Sequence, residues 1–142
     1  MGSVVSQASD LLVAKGIATV SGAWPVRIGR LLAAPDAQMS LFQTPGQTPN
    51  PKWLVDFPTF QVMVRGAKDD YPGAETKAQQ VKDALLGIEP YVHTGGDRWV
   101  SVTMLGDFAF LRYDDNSRPL FSGNFRVIKE PVATVASSRE AL

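Results

Sequence analysis

The sequence predicts a small single α+β domain in which a mostly antiparallel sheet packs against one or two helices, with a Pro-rich loop. Apolar residues alternate along one segment, as in a strand with one face toward a core: Phe60, Val62 and Val64. Further along, apolar residues recur at helical spacing: Ala74, Ala78, Val81 and Leu85. Near the C-terminus a turn-forming cluster, 114–117, separates two further apolar runs and predicts a hairpin. The strand and the helix are expected to bury their apolar residues in one shared core.

Length and composition limit the possible functions. The 142 residues are expected to form one domain, 1–142, with a loose tail from about residue 131. Fourteen basic residues balance fourteen acidic ones, so no overall charge draws the chain to nucleic acid or to an anionic membrane. The absence of cysteine excludes a disulfide framework, thiolate catalysis and cysteine-bound metals. No apolar run approaches the ~20 residues of a membrane span, and no signal peptide is evident, so synthesis in a cytosol is expected.

The first predicted element is an amphipathic helix from Ser3 to Lys15. Its apolar residues have helical spacing: Val4, Ala8, Leu11 and Leu12. Ser3 is available as the N-cap, and Gly16 is placed to end the helix. The helix either packs on the chain's own sheet or serves as an arm that docks on a neighbouring subunit.

Two strands are predicted next, over 25–32 and 38–43. The following segment, 44–51, contains three prolines and is predicted to lack regular structure, because proline removes amide donors and fixes φ. Phe42 and Trp53 flank this segment and need burial. They are either tucked over the chain's own core or pressed into a partner.

The C-terminal half is predicted to be mainly strands. A linker, 88–98, carries His93, which is expected to be solvated because glycine residues surround it. The strand that follows is expected to place Val100, Val102 and Met104 on one face. An apolar run at 108–112 and a last strand from Leu120 form the predicted hairpin, and Pro131 ends the regular structure.

No catalytic or cofactor motif is present, so neither catalytic, cofactor-binding nor metal-binding residues are predicted. The chain has no glycine-rich phosphate loop, nucleophile elbow or zinc pattern, and His93 is its single histidine. The run from Asp114 begins like a calcium loop, but Arg118 and Pro119 occupy the fifth and sixth places. The alternative is a small enzyme with an active site shared between subunits, which should gather acids, lysines or His93 in one pocket.

Two longer segments together resemble a known family. PTFQVMVRG (58–66) is followed by Tyr71 and a helix that ends at Gly87, and then by LRYDDNSRPLFSGNFRVI (111–128). In this order and at this distance, they look like the minor capsid and tail-terminator proteins of tailed bacteriophages. The run from Ile28 to Leu31, followed by Pro35-Asp36, is similar to the first strand and turn of that family. The resemblance covers about 26–127.

The resemblance implies a structural virion protein that assembles into a six-membered ring. Such rings cap the tail tube, stop its polymerisation and join it to the head–tail connector. The genome DNA crosses the lumen without sequence-specific binding, and no membrane is involved. The implied location is the virion tail or neck, with the host cytoplasm as the site of assembly. The alternatives are another neck or head-completion protein, a tail-tube protein, or a soluble adaptor of cellular origin.

The resemblance offers no catalytic residues. It suggests shape-setting roles for residues at the end of a strand, in the hairpin turn and in the last strand: Arg65, Asn116, Arg118 and Asn124. Purely local hydrogen bonds are the alternative for each. With the two aromatic residues that flank the proline segment, the candidate subunit or partner contacts are Phe42, Trp53, Arg65, Asn116 and Arg118.

Overall fold

A computed structural model describes residues 2–142 and shows, within that range, two helices on a curled, mixed sheet of seven strands. The elements in chain order are α1 (Val4–Ala14), β1 (Val26–Ile28), β2 (Gln38–Gln47), β3 (Phe57–Arg65), α2 (Tyr71–Leu85), β4 (Tyr91–Val92), β5 (Arg98–Met104), β6 (Ala109–Tyr113) and β7 (Pro119–Glu130). The α+β fold class is confirmed. The sheet is more extensive than the sequence indicates, and β1 pairs with β2 in parallel.

The sheet is built around β7. Its strand order is β1-β2-β3-β7-β5-β4, and β6 also pairs with β7. On one side β3 pairs with residues 120–126 of β7. On the other side β6 pairs with 119–122 and β5 with 125–130. The sheet therefore has edges at β1, at β4 and at β6.

Both helices pack on the same face of this sheet. The residues predicted to form the core are all fully buried: Phe60, Val62, Val64, Val81 and Leu85. On that face the register aligns Val64 with Met39 and with Phe121, so one apolar row crosses three strands. The predicted core is confirmed: the apolar face of the sheet and the apolar stripe of the helix bury each other.

The ends of both helices follow the local sequence. The side chain of Ser3 accepts a hydrogen bond from the amide three residues on, and Asp70 does the same for α2. Gly16 and Gly87 follow the helix ends with φ of +74° and +72°, backbone conformations that residues other than glycine rarely adopt. The predicted helix 3–15 and the predicted stop at Gly87 are therefore confirmed.

The proline segment departs from its prediction, because β2 continues through Pro45 as far as Gln47. Two features accommodate the proline. A bulge between Thr44 and Gln47 interrupts the ladder with β3. The pairing of β1 with β2 stops at Leu41, so the outer edge of β2 has no neighbouring strand further along. Proline is tolerated at edges and bulges, where its missing amide hydrogen is not needed.

His93 also departs from its prediction: it is buried, not solvated. The expected linker contains β4, which pairs with β5 as a short hairpin. Within the turn His93 donates its amide hydrogen to the carbonyl of Asp97. Its ring centroid lies 4.7 Å from that of Trp99 and 4.8 Å from that of Tyr91. The hairpin therefore packs the imidazole against two aromatic rings, a contact that the glycine-rich sequence around His93 does not predict.

The face predicted for β5 is wrong over its first half. A bulge at Val100 shifts the register between Trp99 and Ser101. Trp99 is fully buried and Val102 is nearly so, whereas simple alternation would have placed them on opposite faces. One extra residue is enough to exchange the two faces.

The predicted hairpin at 114–117 is confirmed. The Asp114 side chain accepts hydrogen bonds from the amides of Asn116 and Arg118 at 2.9 and 3.0 Å. Beyond Pro131 the chain runs back to the segment before β3, where Arg139 lies 2.7 Å from Asp56. In residues 2–142 neither helix has the length and apolar character needed to cross a membrane.

Candidate assembly surfaces

Arg65 lies at the end of β3 on the face away from the helices, and its guanidinium is directed into its own subunit. It is 4% exposed, and it donates to the carbonyl oxygens of Asp36 at 2.9 Å, Leu32 at 2.6 Å and Pro35 at 2.9 Å. Burial, assisted by the charge of Arg118, lowers the pKa of Arg65 from its ordinary value. An arginine remains charged even so, because its guanidinium is too basic to release the proton near neutral pH. Arg65 therefore acts as an internal clamp on loop 32–36.

Arg118 holds the same loop from the hairpin side. Its Nη1 donates to the carbonyl of Ala33 at 2.7 Å and lies 3.2 Å from Asp36 Oδ1. Its Nε donates to Asp114 Oδ2 at 2.8 Å. Partial burial acts to raise the pKa of Asp114, but hydrogen bonds from the amide and side chain of Arg118 outweigh it and hold that pKa below its ordinary value.

Gln38 completes this clamp from β2. The fully buried side chain accepts from the Leu32 amide at 2.8 Å and donates to the Pro35 carbonyl at 2.6 Å. Loop 32–36 is thus tied to β2, to β3 and to the turn before β7. Of the candidate contact residues, the structure brings Arg65 and Arg118 together here, with Asn116 exposed in the adjoining turn.

The two aromatic candidates lie elsewhere. Phe42 is half-buried on β2, opposite Gln61 and on the face that the helices leave uncovered. Trp53 is half-buried in the loop before β3, where the ammonium of Lys52 lies 5.0 Å from its ring centroid. Its amide donates to Asn50 Oδ1 at 2.8 Å, so the loop is partly ordered by its own chain. Both aromatic side chains keep accessible surface for a partner.

Strand β6 carries a surface that the sequence prediction did not identify. All five of its residues are exposed, and they include the large apolar residues Phe110, Leu111 and Tyr113. The ring of Phe110 packs 5.1 Å from that of Tyr71 and 5.2 Å from that of Tyr113, centroid to centroid. The sequence signal was an apolar run without alternation, which indicates a strand but does not show that all of its residues are exposed.

The edge at β1 is apolar as well. Val20, Ile28 and Leu32 are exposed by 72%, 50% and 36%. They lie before, within and after a three-residue strand that pairs with β2, and on the other side of this strand the Val26 amide donates to the Thr19 carbonyl at 3.0 Å. Two unlike surfaces with exposed apolar side chains therefore lie at separate edges of the sheet.

A buried polar cluster links α1 to the strands, and sequence analysis missed it. Gln7 donates to Asp97 Oδ2 at 2.9 Å and accepts from the indole of Trp99 at 2.9 Å. Lys129 lies 3.3 Å from the same carboxylate. Although burial acts to raise the pKa of Asp97, hydrogen bonds from the amide of Val132 and from Gln7 lower it overall. The cluster is internally paired, which suits a structural role.

The titratable groups beneath the C-terminal segment bear on the enzyme alternative. A cavity of about 340 Å³ there is lined in part by Asp56, Asp97, Lys129 and Arg139. Its carboxylates are engaged in ion pairs, Asp56 with Arg139 and Asp97 with Lys129. Residues 2–142 contain no group of three or more side chains arranged to hold a metal ion. The ion pair of Asp56 with Arg139 holds the C-terminal segment against the start of β3.

Comparisons with known proteins agree with the sequence resemblance. Residues 7–131 match the model of the family described as bacteriophage tail terminator protein. The fold is similar to a chain in the solved structure titled "Virion of native gene transfer agent (GTA) particle", with a TM-score of 0.65 and 18% identity over 92% of this chain and 96% of that chain. At that identity the likeness shows a common fold. No curated protein matches the sequence. The chain therefore belongs to the bacteriophage tail terminator family and is a structural protein of a phage-type virion.

Proposed function

We propose that this protein is the terminator of its tail: a closed ring, of six copies, that caps the tail tube and joins it to the head–tail connector. The observation that carries the proposal is the family match, which spans 7–131 and thus nearly every element of the fold. The role is structural and needs no catalytic residue. Its proposed partners are further copies of this chain, the tube protein and the connector proteins. Assembly takes place in the host cytoplasm.

Physical properties of the chain support a ring around a DNA channel. Identical subunits that join head to tail must either close into a ring or grow into a filament, and a terminator has to close. Such joining requires two unlike surfaces on each copy, and the edges at β1 and β6 are unlike. The formal net charge is zero, which suits a lumen through which DNA slides. A strongly basic ring would instead bind the DNA phosphates tightly, because that binding releases counterions from the DNA.

The candidate contact residues take two kinds of role in this proposal. Phe42, Trp53 and Asn116 retain accessible surface and touch neighbouring subunits or partner proteins directly. Arg65 and Arg118 act indirectly, because their guanidinium groups are occupied by loop 32–36 and the hairpin turn. They fix the shape of the surface that meets a neighbour.

Counting copies in intact particles tests the proposal. Quantitative mass spectrometry on purified virions should find one ring, hence six copies, for each particle. Hundreds of copies would identify a tube protein, and absence from particles would leave the adaptor or enzyme reading in place. Particles made without the protein should have tails of uncontrolled length that are not joined to heads, and supplying the wild-type chain in trans should restore them. Normal tails in its absence would refute the terminator role.

A further inference from the structure

Strand β6 ends its side of the sheet with an unpaired edge. It pairs with β7 alone, and no other strand in residues 2–142 lies along its outer side. A bulge between Phe110 and Arg112 leaves Leu111 projecting into solvent at 49% exposure. The unused amide and carbonyl groups of such an edge can pair with another chain.

The composition of β6 is unusual for an edge that stays in water. Natural edge strands are protected by proline, lysine or a covering loop, and the one charge within β6 is Arg112. Three of its five residues are large and apolar, and none is buried. The Phe110 ring is also held in place by Tyr71, so the patch presents a fixed shape. A fixed apolar edge with free hydrogen-bonding groups is suited to a strand or edge of a second protein.

The β1 edge is apolar and basic. Its apolar residues Ile28 and Leu32 stand beside Arg27 and Arg30, neither of which forms an ion pair within residues 2–142. Asp115, in the turn that follows β6, is exposed and likewise has no ion pair within residues 2–142.

We propose that the β6 edge of one copy docks on the β1 edge, 26–32, of the next copy. Apolar residues then cover apolar residues, and the arginines of the β1 edge face Asp115 in the turn of the neighbour. The inference rests on the proposed function and deepens it, since it names the two surfaces that join around the ring. Because the two surfaces differ and lie at separate edges of one sheet, each copy uses both and the contact repeats until the ring closes.

Thiol crosslinking in assembled particles tests this contact, and the natural absence of cysteine makes the background clean. The variant Leu111→Cys/Ile28→Cys, treated with a short thiol-to-thiol crosslinker, should give a ladder of covalent oligomers that ends at the ring size. An equal mixture of the two single variants should stop at dimers. The matched control pairs Leu111→Cys with Val135→Cys, which is fully exposed in the C-terminal segment, and should stay monomeric.

Three crosslinking outcomes would overturn the inference. Dimers from Leu111→Cys alone would mean that two β6 edges meet each other. A ladder from the control pair would mean that the crosslinks report random contact. Monomers from the double variant, present in particles at the wild-type number of copies, would mean that the two edges do not meet while leaving the terminator role intact. Absence of the wild-type chain from particles would remove both proposals together.

Hydrogen exchange on the wild-type protein decides the question where the double variant does not enter particles. Peptides covering 109–113 should exchange at least tenfold more slowly in virions than in the dilute monomer, because the edge amides gain partners. Peptides covering the exposed residues Thr94 and Gly95 serve as an internal control. Equal exchange of 109–113 in both forms would overturn the proposed contact.

Discussion

Truncating Leu85 tests whether α2 is held by the core of the sheet. Leu85 is the last residue of α2 and is fully buried. Leu85→Ala removes three side-chain carbons with their hydrogens. Burying each of them away from water contributes about 0.8 kcal/mol, or about 2.4 kcal/mol together. The cavity left behind adds to this wherever the surroundings do not collapse. We therefore expect the free energy of unfolding to fall by about 2–5 kcal/mol.

The assay is equilibrium denaturation in urea, followed by circular dichroism. For a chain of this size the same loss corresponds to a melting temperature lower by about 4–20 °C. Leu105→Ala is the matched control: it makes the same chemical change at an exposed position and should alter stability by less than about 0.5 kcal/mol. A loss below about 0.5 kcal/mol for Leu85→Ala would refute the reasoning, since truncating a buried leucine on a helix packed against the sheet should lower the free energy of unfolding by more than that.

Three other predictions follow from the buried polar groups and the proline segment. Arg65→Met should lower the free energy of unfolding by about 1–3 kcal/mol in the same urea assay, because the Asp36 carbonyl loses its donor. The carbonyls of Leu32 and Pro35 keep a hydrogen bond from Gln38. Arg65→Lys should restore only part of the loss, and equal stability of all three proteins would contradict the clamp. Burial lowers the pKa of His93 in the folded protein, so the unfolded chain takes up the proton first and the free energy of unfolding should decrease as pH falls below about 6.5. His93→Phe should remove that part of the pH dependence, and an unchanged profile would show that other groups cause it. Amides in 42–53 should exchange more slowly in particles than in the monomer, and equal exchange would count against a contact role for Phe42 and Trp53.

Periodic apolar residues made the centre of the fold predictable from sequence. The alternation in β3 and the helical spacing in α2 each report which residues face the core, and the caps at Ser3 and Gly87 fix the ends. Bulges were not predictable, because one inserted residue at Val100 changes the faces of a strand without changing its composition. The same limit applies to Pro45, whose place in β2 depends on a neighbouring strand that stops short.

The candidate site was predicted unevenly for a related reason. The sequence pointed to Arg65 and Arg118 through the family resemblance, but not to the loop that they share. Their partners in 32–36 lie about thirty and eighty residues away in the chain, as the bonds to Leu32 and Ala33 show. Asp97 and Lys129 form an ion pair although they too lie about thirty residues apart in the sequence, and no local pattern indicates it. Long-range polar pairs become visible only when the topology brings their strands together.

The arginine clamp connects the stability of the subunit to its assembly. The Leu32 carbonyl accepts a hydrogen bond from Arg65, and the Leu32 side chain is part of the proposed β1 surface. Removing the guanidinium should therefore disturb both folding and ring formation, because the loop loses its fixed shape. Leu111 differs: its side chain is exposed in the subunit, so its substitution should affect ring formation and leave the unfolding of the monomer nearly unchanged. The two classes of variant separate residues that shape the surface from residues that make the contact.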